Sequence, residues 1–422
     1  MSTPPGAPVP DGPPAGTFHL AVALEGAGAH PAAWREPGSP ARELVTPGYW
    51  AGLVAEAERG LLDFVTFEDA LGPPPSSPTG PDGRTDRVRG RLDAVLTAAR
   101  VAPLTRHIGL LPTVVATHTE PFHVSKAIAT LDYVSGGRAG LLVTVSGRPD
   151  EARHFGRRTF PRGPADSPDG LGSALRAELL DEAADHVEVV RRLWDSWEDD
   201  AEIRDVASGR FVDRGKLHHI GFEGRHFSVK GPSITPRPPQ GQPLVGASAR
   251  VGAPPRLLAE AVDLVFLAPR DTEEVRTLTD GIRAARSAAG QPEGTGRVFA
   301  DLVVFLDESA TAATARLRRL DALAQEPYAP GTHVFAGTPA RLAALLTEWH
   351  RRGPDGFRLR PGVLSHDLPA ITRGLVPELR RRGALRTARP GGTFRDLLGL
   401  ARPASRYAAR YATTRPGRTT AP

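Results

Sequence analysis

The chain carries thirteen histidines and no cysteine, so its reactive groups are imidazoles, carboxylates and hydroxyls. Thiolate nucleophiles, thiolate-held metals, Fe–S clusters and disulfides are excluded. The histidines are scattered. His218 and His219 are neighbours whose side chains diverge on extended backbone, so they do not readily share a metal and read as surface-loop residues. No paired-histidine metal motif, phosphate-binding loop or trustworthy Ser/His/Asp spacing occurs. The acidic stretch Asp195–Asp200 reads as a solvated helix end, and no metal is assigned to it. Taken alone, these groups name no reaction.

The elements that must position them are clearer. Apolar strand-like runs occur at Phe18–Glu25, Phe64–Asp69, Ile108–Ala116, Ala139–Ser146, Leu244–Ser248, Leu264–Ala268, Val298–Leu306 and Gly356–Arg360. Helical patterns follow most of them, at Tyr49–Arg59, Leu92–Ala102, Pro121–Tyr133, Ala177–Trp197, Arg256–Val262, Thr272–Ser287, Pro339–Arg352 and Leu368–Arg382. Eight such alternations predict an α/β fold, a parallel (β/α)8 TIM barrel. A doubly wound sheet is the weaker choice, because no Gly-x-Gly-x-x-Gly turn follows the first strand. Two insertions break the alternation. One is the polar loop Gly72–Gly90 after strand 2, at the end of the barrel where chemistry belongs. The other is Trp197–Gln242 between helix 4 and strand 5, which starts at the opposite face and includes a strand-like piece, Gly224–Lys230.

The net charge of +5 belongs to the C-terminus, where residues 401–422 hold five arginines and no acid. A neutral body with a short basic tail lacks the basic face needed to track phosphates, so no nucleic-acid partner is expected. No apolar run approaches the roughly 18–20 residues of a membrane span, and the Pro/Gly-rich start lacks a signal-peptide pattern. The expectation is a cytoplasmic protein with no membrane partner. Residues 1–16 read as a disordered leader, 17–402 as one barrel domain and 403–422 as a basic flexible tail.

An ordered series of strings carries a resemblance. It includes His30-Pro31-Ala32-Ala33-Trp34-Arg35, Glu120-Pro121-Phe122-His123, Ser135-Gly136-Gly137-Arg138-Ala139-Gly140, Leu193-Trp194-Asp195-Ser196-Trp197, Gly337-Thr338-Pro339 and Arg381-Arg382-Gly383. The chain resembles the nitrilotriacetate/dibenzothiophene-sulfone/long-chain-alkane monooxygenase branch of the bacterial-luciferase superfamily, over roughly residues 18–403. The resemblance implies a luciferase-like barrel that receives reduced FMN (FMNH2) from a separate NAD(P)H-dependent reductase. With O2 as co-substrate, a flavin C4a-(hydro)peroxide oxygenates a small organic substrate. It also implies a homodimer or homotetramer. Two other readings are a flavin-poor, non-catalytic luciferase-like subunit and an oxidoreductase using the deazaflavin F420.

The resemblance assigns cofactor-binding roles to Asp69, at the end of strand 2 with Glu68 pointing the other way, and to Thr113, Thr117 and Ser146. Its Asn and Thr positions near strand 4 are here Leu142 and Val145. His30 and His123 are the catalytic candidates bordering the pocket, with structural packing or helix capping placed ahead of proton transfer for each. The family's phosphate-binding His and Tyr correspond to Arg176 and Leu180, and its phosphate-binding Ser to Val251, with Ser248 nearby. Arg176, Ser248, Arg250 and the amides around Val251–Ala253 are the substitutes expected to hold phosphate. The segment Glu308–Ala336 is shorter than the family's lid.

Overall fold

In the computed structural model the chain is described over residues 16–73, 83–161, 172–249, 256–388 and 391–407. Eight parallel strands are present: β1 (His19–Leu24), β2 (Phe64–Phe67), β3 (Gly109–Val115), β4 (Gly140–Thr144), β5 (Leu244–Ala249), β6 (Leu264–Leu267), β7 (Arg297–Leu306) and β8 (Gly356–Pro361). Each pairs with the next, and β8 pairs back onto β1, closing the (β/α)8 barrel. The strands coincide with the eight expected from sequence to within two residues at either end.

The outer helices are α1 (Pro47–Arg59), α2 (Ala94–Val101), α3 (Pro121–Ser135), α4 (Ser173–Asp195), α5 (Thr272–Ala288), α6 (Ala310–Ala324), α7 (Pro339–His350) and α8 (Leu364–Ala370). The last continues through a π-helical turn into Val376–Arg381. Local chemistry sets their starts. Thr46 and Thr338 cap α1 and α7 ahead of a proline, and Asp271 accepts from the Glu273 and Glu274 amides at the start of α5. Helix α6 and the short strand Val334–Gly337 were not anticipated. That strand extends the sheet beside Val303–Leu306 at the far end of β7. Together they fill the shortened interval Glu308–Ala336.

Inside the barrel, Ala21, Phe64, Leu111, Leu142, Leu244, Leu264, Phe266 and Phe299 form an apolar layer. Phe394, Leu397, Leu398 and Leu400, from the C-terminal segment, seal its lower end. Three aspartates finish that end. Asp63, Asp263 and Asp355, each just ahead of a strand, accept the Leu20, Val245 and Val298 amides of the adjoining strand. Asp263 also accepts from Arg191 at 2.7 Å and Arg395 at 3.1 Å. Burial alone would raise its pKa, but the two guanidiniums prevail and hold it at about 2. A carboxylate depressed below its unfolded value stabilises the fold at higher pH, and the benefit fades as pH falls from about 4 toward 2. Asp263 is therefore expected to give acid lability of about 2 kcal/mol in that window. Urea unfolding at stepped pH checks this, since Asp263→Asn should flatten the slope.

Residues Trp197–Gln242 fold as two small antiparallel hairpins, Glu202–Asp205 with Arg210–Val212 and Phe222–Glu223 with Ser228–Val229. The second contains the strand-like piece foreseen from sequence. The acidic stretch above it is not a solvated helix end. Asp195 is buried and accepts from Arg237 at 2.9 Å, while Asp199 accepts from Arg237 and Arg402. The first residues assigned to the tail, 403–407, pack back onto the body. Ser405 is buried, Arg406 donates to Glu188, and Tyr407 stacks on His218 with ring centroids 4.3 Å apart. The leader, apart from Gly16, and residues 408–422 lie outside the described residues. So do 74–82 of the loop after strand 2.

Candidate active site

The carboxyl ends of the strands form the mouth of the barrel. Parity fixes which side chains face the axis. Because Phe64 belongs to the inner layer, Thr66 and Glu68 point inward too. Glu68 Oε1 accepts from Thr66 Oγ1 at 2.9 Å and from Arg358 Nη1 at 3.4 Å. Arg358, on β8, is buried and ion-paired to Asp301 of β7 through two bonds of 2.9 and 2.5 Å. Its guanidinium lies 4.1 Å from the centroid of the Phe266 ring. Arg360, two residues on, pairs with Glu25 at 3.1 Å. Desolvation pushes the Glu68 pKa up, but Arg358 and Arg360 outweigh it, and the group stays below the usual value as a carboxylate. A charged, hydrogen-bonded layer thus lies under the mouth, directly above the phenylalanines.

The expected orientation at the end of strand 2 is reversed. Asp69, not Glu68, turns away from the axis. Its two oxygens accept from the amides of Ala70 at 2.7 Å and Ala94 at 2.9 Å, and the latter bond seats the first residue of α2. Burial raises its pKa despite those amides. Thr113 lies on β3. It shares the inward parity of Leu111, and its hydroxyl is buried with no hydrogen-bond partner. An orphaned buried hydroxyl costs about 1–3 kcal/mol and calls for an explanation. Ser248 also faces inward, two residues beyond Gly246, and is exposed at the rim of β5. Thr117 and Ser146 come together, the Ser146 amide donating to Thr117 Oγ1 at 3.0 Å. That bond pins the end of β3 to the end of β4.

The two histidines are not brought to one site. His30 is buried, its Nδ1 accepting from the Ala32 amide and its Nε2 meeting Asp321 of α6 at 3.1 Å. Burial lowers its pKa against the pull of Asp321, and Tyr328 packs on the ring. It ties the loop after β1 to α6, a structural duty. His123 is exposed on the outer face of α3. Arg176 sits in the first turn of α4, whereas Arg250 and Val251–Ala253 lie outside the described residues. Nearby cations are already matched: Arg256 binds Asp181 and Asp185, and Arg158 binds Glu182. Sequence reasoning missed Glu68, Asp301 and Arg358. The signal was available, since Asp301, Arg358 and Arg360 are charges inside strands that are otherwise apolar.

A closed parallel barrel with a buried, unpartnered hydroxyl at its mouth defines a (β/α)8 protein whose polar opening lies at the carboxyl ends of the strands. The profile of the luciferase-like monooxygenase family matches residues 26–356, and the chain belongs to that family. It is 30% identical to N-acetyl-S-(2-succino)cysteine monooxygenase of Bacillus subtilis (strain 168), covering 92% of this chain and 98% of that protein. It is 27% identical to nitrilotriacetate monooxygenase component A of Aminobacter aminovorans, covering 92% and 97%. Its fold matches a riboflavin lyase crystallised with modified FMN and riboflavin, with a TM-score of 0.78 at 22% identity over 95% of this chain and all of that one.

Flavin is the cofactor the family implies, and the mouth fits it. Thr113 and Ser248 are hydroxyls at two depths of the same opening, one orphaned and one solvent-facing.

Proposed function

We propose that the chain is the oxygenase of a two-component, FMN-dependent monooxygenase that oxygenates a small organic substrate. The orphaned hydroxyl of Thr113, buried at the axis beside Glu68, is the observation that carries this reading. It would hydrogen-bond the polar edge of the flavin ring, with Ser248 toward the side chain and Arg176 toward the phosphate. Bound reduced FMN supplies the oxygen-activating chemistry. The protein contributes a floor of fixed charges beneath the mouth. The word "component" in the name of the nitrilotriacetate relative supports a separate reductase as partner. Exposed Leu92, Leu96 and Leu104 around α2, with Tyr133 and Val134 of α3, support assembly as a homodimer or homotetramer. No helix among the described residues is long and apolar enough to cross a membrane, consistent with work in the cytoplasm, where reduced flavin is made.

Anaerobic titration with photoreduced FMN, followed by admission of O2, tests the reading. Saturable micromolar binding supports it. Failure to bind reduced FMN, FAD or F420 would place the chain with non-catalytic luciferase-like subunits, and binding of F420 alone with the F420 enzymes. Thr113→Val sharpens the test. Reduced-FMN affinity should fall about tenfold, one hydrogen bond's worth, while the free protein is at least as stable because an unpaired hydroxyl has gone. An unchanged affinity would remove Thr113 from the site.

A further inference from the structure

Two polar groups at the mouth have unfinished hydrogen bonding, and they stand on adjoining strands. β2 and β3 pair with Thr66 beside Leu111 and Phe67 beside Pro112, so Glu68 and Thr113 are the next residues along the two strands. Both side chains face the axis, Glu68 by the parity of Phe64 and Thr113 by that of Leu111. The Thr113 hydroxyl is buried and bonds to nothing. The two oxygens of Glu68 differ. Oε1 accepts from Thr66 Oγ1 at 2.9 Å and from Arg358 Nη1 at 3.4 Å, whereas Oε2 accepts no hydrogen bond among the described residues. The Glu68 side chain is 21% exposed, and Oε2 is the oxygen left to the opening. Arg358 is itself fixed by its two bonds to Asp301, so the tethered oxygen sets the direction of the free one.

A ligand that completes both groups must present a donor and an acceptor side by side. An ionised carboxylate can only accept, whereas the threonine hydroxyl is free to donate. An anion would meet the carboxylate charge, and an apolar edge would leave the hydroxyl orphaned. The imide edge of a flavin ring, an N–H flanked by two carbonyls, offers what both groups lack. Neighbouring strands lie about 4.8 Å apart, close enough for two hydrogen bonds to converge on adjacent positions of one ring.

We propose that Glu68 is a flavin-binding residue whose free oxygen accepts from the imide N–H, while Thr113 donates to the carbonyl beside it. The inference rests on the FMN reading. Reduced FMN and reduced 3-methyl-FMN, which lacks that N–H, are the probes, titrated anaerobically by protein fluorescence. The wild-type chain should bind FMN at least tenfold more tightly than the methylated flavin, as expected of a charge-assisted hydrogen bond. In Glu68→Gln, Thr66 and Arg358 still demand an acceptor, so the new amide must turn its NH2 to the mouth. That variant should melt as the wild type does, bind FMN more weakly and lose the preference. Glu68→Ala, which also makes room for the methyl group, should show no preference either. Thr113→Val should weaken both flavins alike and keep the preference, because both flavins carry the carbonyl. Equal binding of the two flavins by the wild type overturns the proposal and leaves the FMN reading intact. So does an undiminished preference in either Glu68 variant, which would place the effect of the methyl group elsewhere. Failure of the wild type to bind either flavin overturns the proposal and the FMN reading together.

Discussion

Asp301→Ala is expected to cost about 3–5 kcal/mol of stability, because it strips a buried guanidinium of its main counter-charge. Arg358 and Asp301 are both almost fully buried and share two hydrogen bonds. With Asp301 gone, Arg358 keeps only the longer contacts to Glu68 at 3.4 Å and Thr66 at 3.5 Å, and the face of Phe266. Those contacts do not replace a bidentate carboxylate inside a barrel. The midpoint of urea unfolding should fall with the slope unchanged. The double variant Asp301→Leu/Arg358→Met separates loss of an ion pair from exposure of a lone charge. Apolar replacement of both partners is often neutral, so the double variant should be far more stable than Asp301→Ala. If both variants unfold alike, the pair is not what holds this layer. Arg358 and Arg360 together hold the Glu68 carboxyl below its usual pKa against the effect of burial.

This layer also shows where the sequence stopped being legible. The eight strands could be read because each is a short apolar run bounded by turn residues, and their number and order then implied the barrel. Which face of a strand looks inward could not be read the same way. A strand of a parallel barrel is buried on both sides, so Val65 and Phe67 are as apolar as Phe64, and the alternation carries no sign. Asp69 was consequently turned toward the axis in place of Glu68. His30 shows a second limit. Its partner Asp321 is 291 residues away in a helix that the motif series skipped, and only the fold names the group that its packing role joins it to. The tail shows a third, since Arg402 and Arg406 looked like solvated charge until their acids, Asp199 and Glu188, were placed opposite them. Thr113 entered through the family resemblance alone, and the parity it shares with Leu111 turns its side chain toward the axis.

The lower end of the barrel yields the other large effect, and it couples two residues 285 positions apart through one ring. Phe394 enters the barrel from below, packed against Phe64 with ring centroids 5.3 Å apart. It fits because Gly109 and Gly140 leave room on β3 and β4. A Cβ built on Gly109 would stand 2.7 Å from the Phe394 ring, and one on Gly140 3.3 Å from it. Phe394→Ala should therefore cost about 3–5 kcal/mol, through lost burial and the cavity that remains. Gly109→Ala should cost about 1–3 kcal/mol for the opposite reason, since a buried ring cannot move aside. The two changes should not add. In Gly109→Ala/Phe394→Ala the new methyl group occupies part of the space the ring has vacated, so the double variant should be more stable than the summed losses by about 1–3 kcal/mol. Urea unfolding of the four proteins measures this directly. Strict additivity would mean that Gly109 is glycine for a reason other than the ring beneath it. A favourable coupling would establish that the C-terminal segment and the third strand are one packing unit, on which the geometry of the mouth above depends.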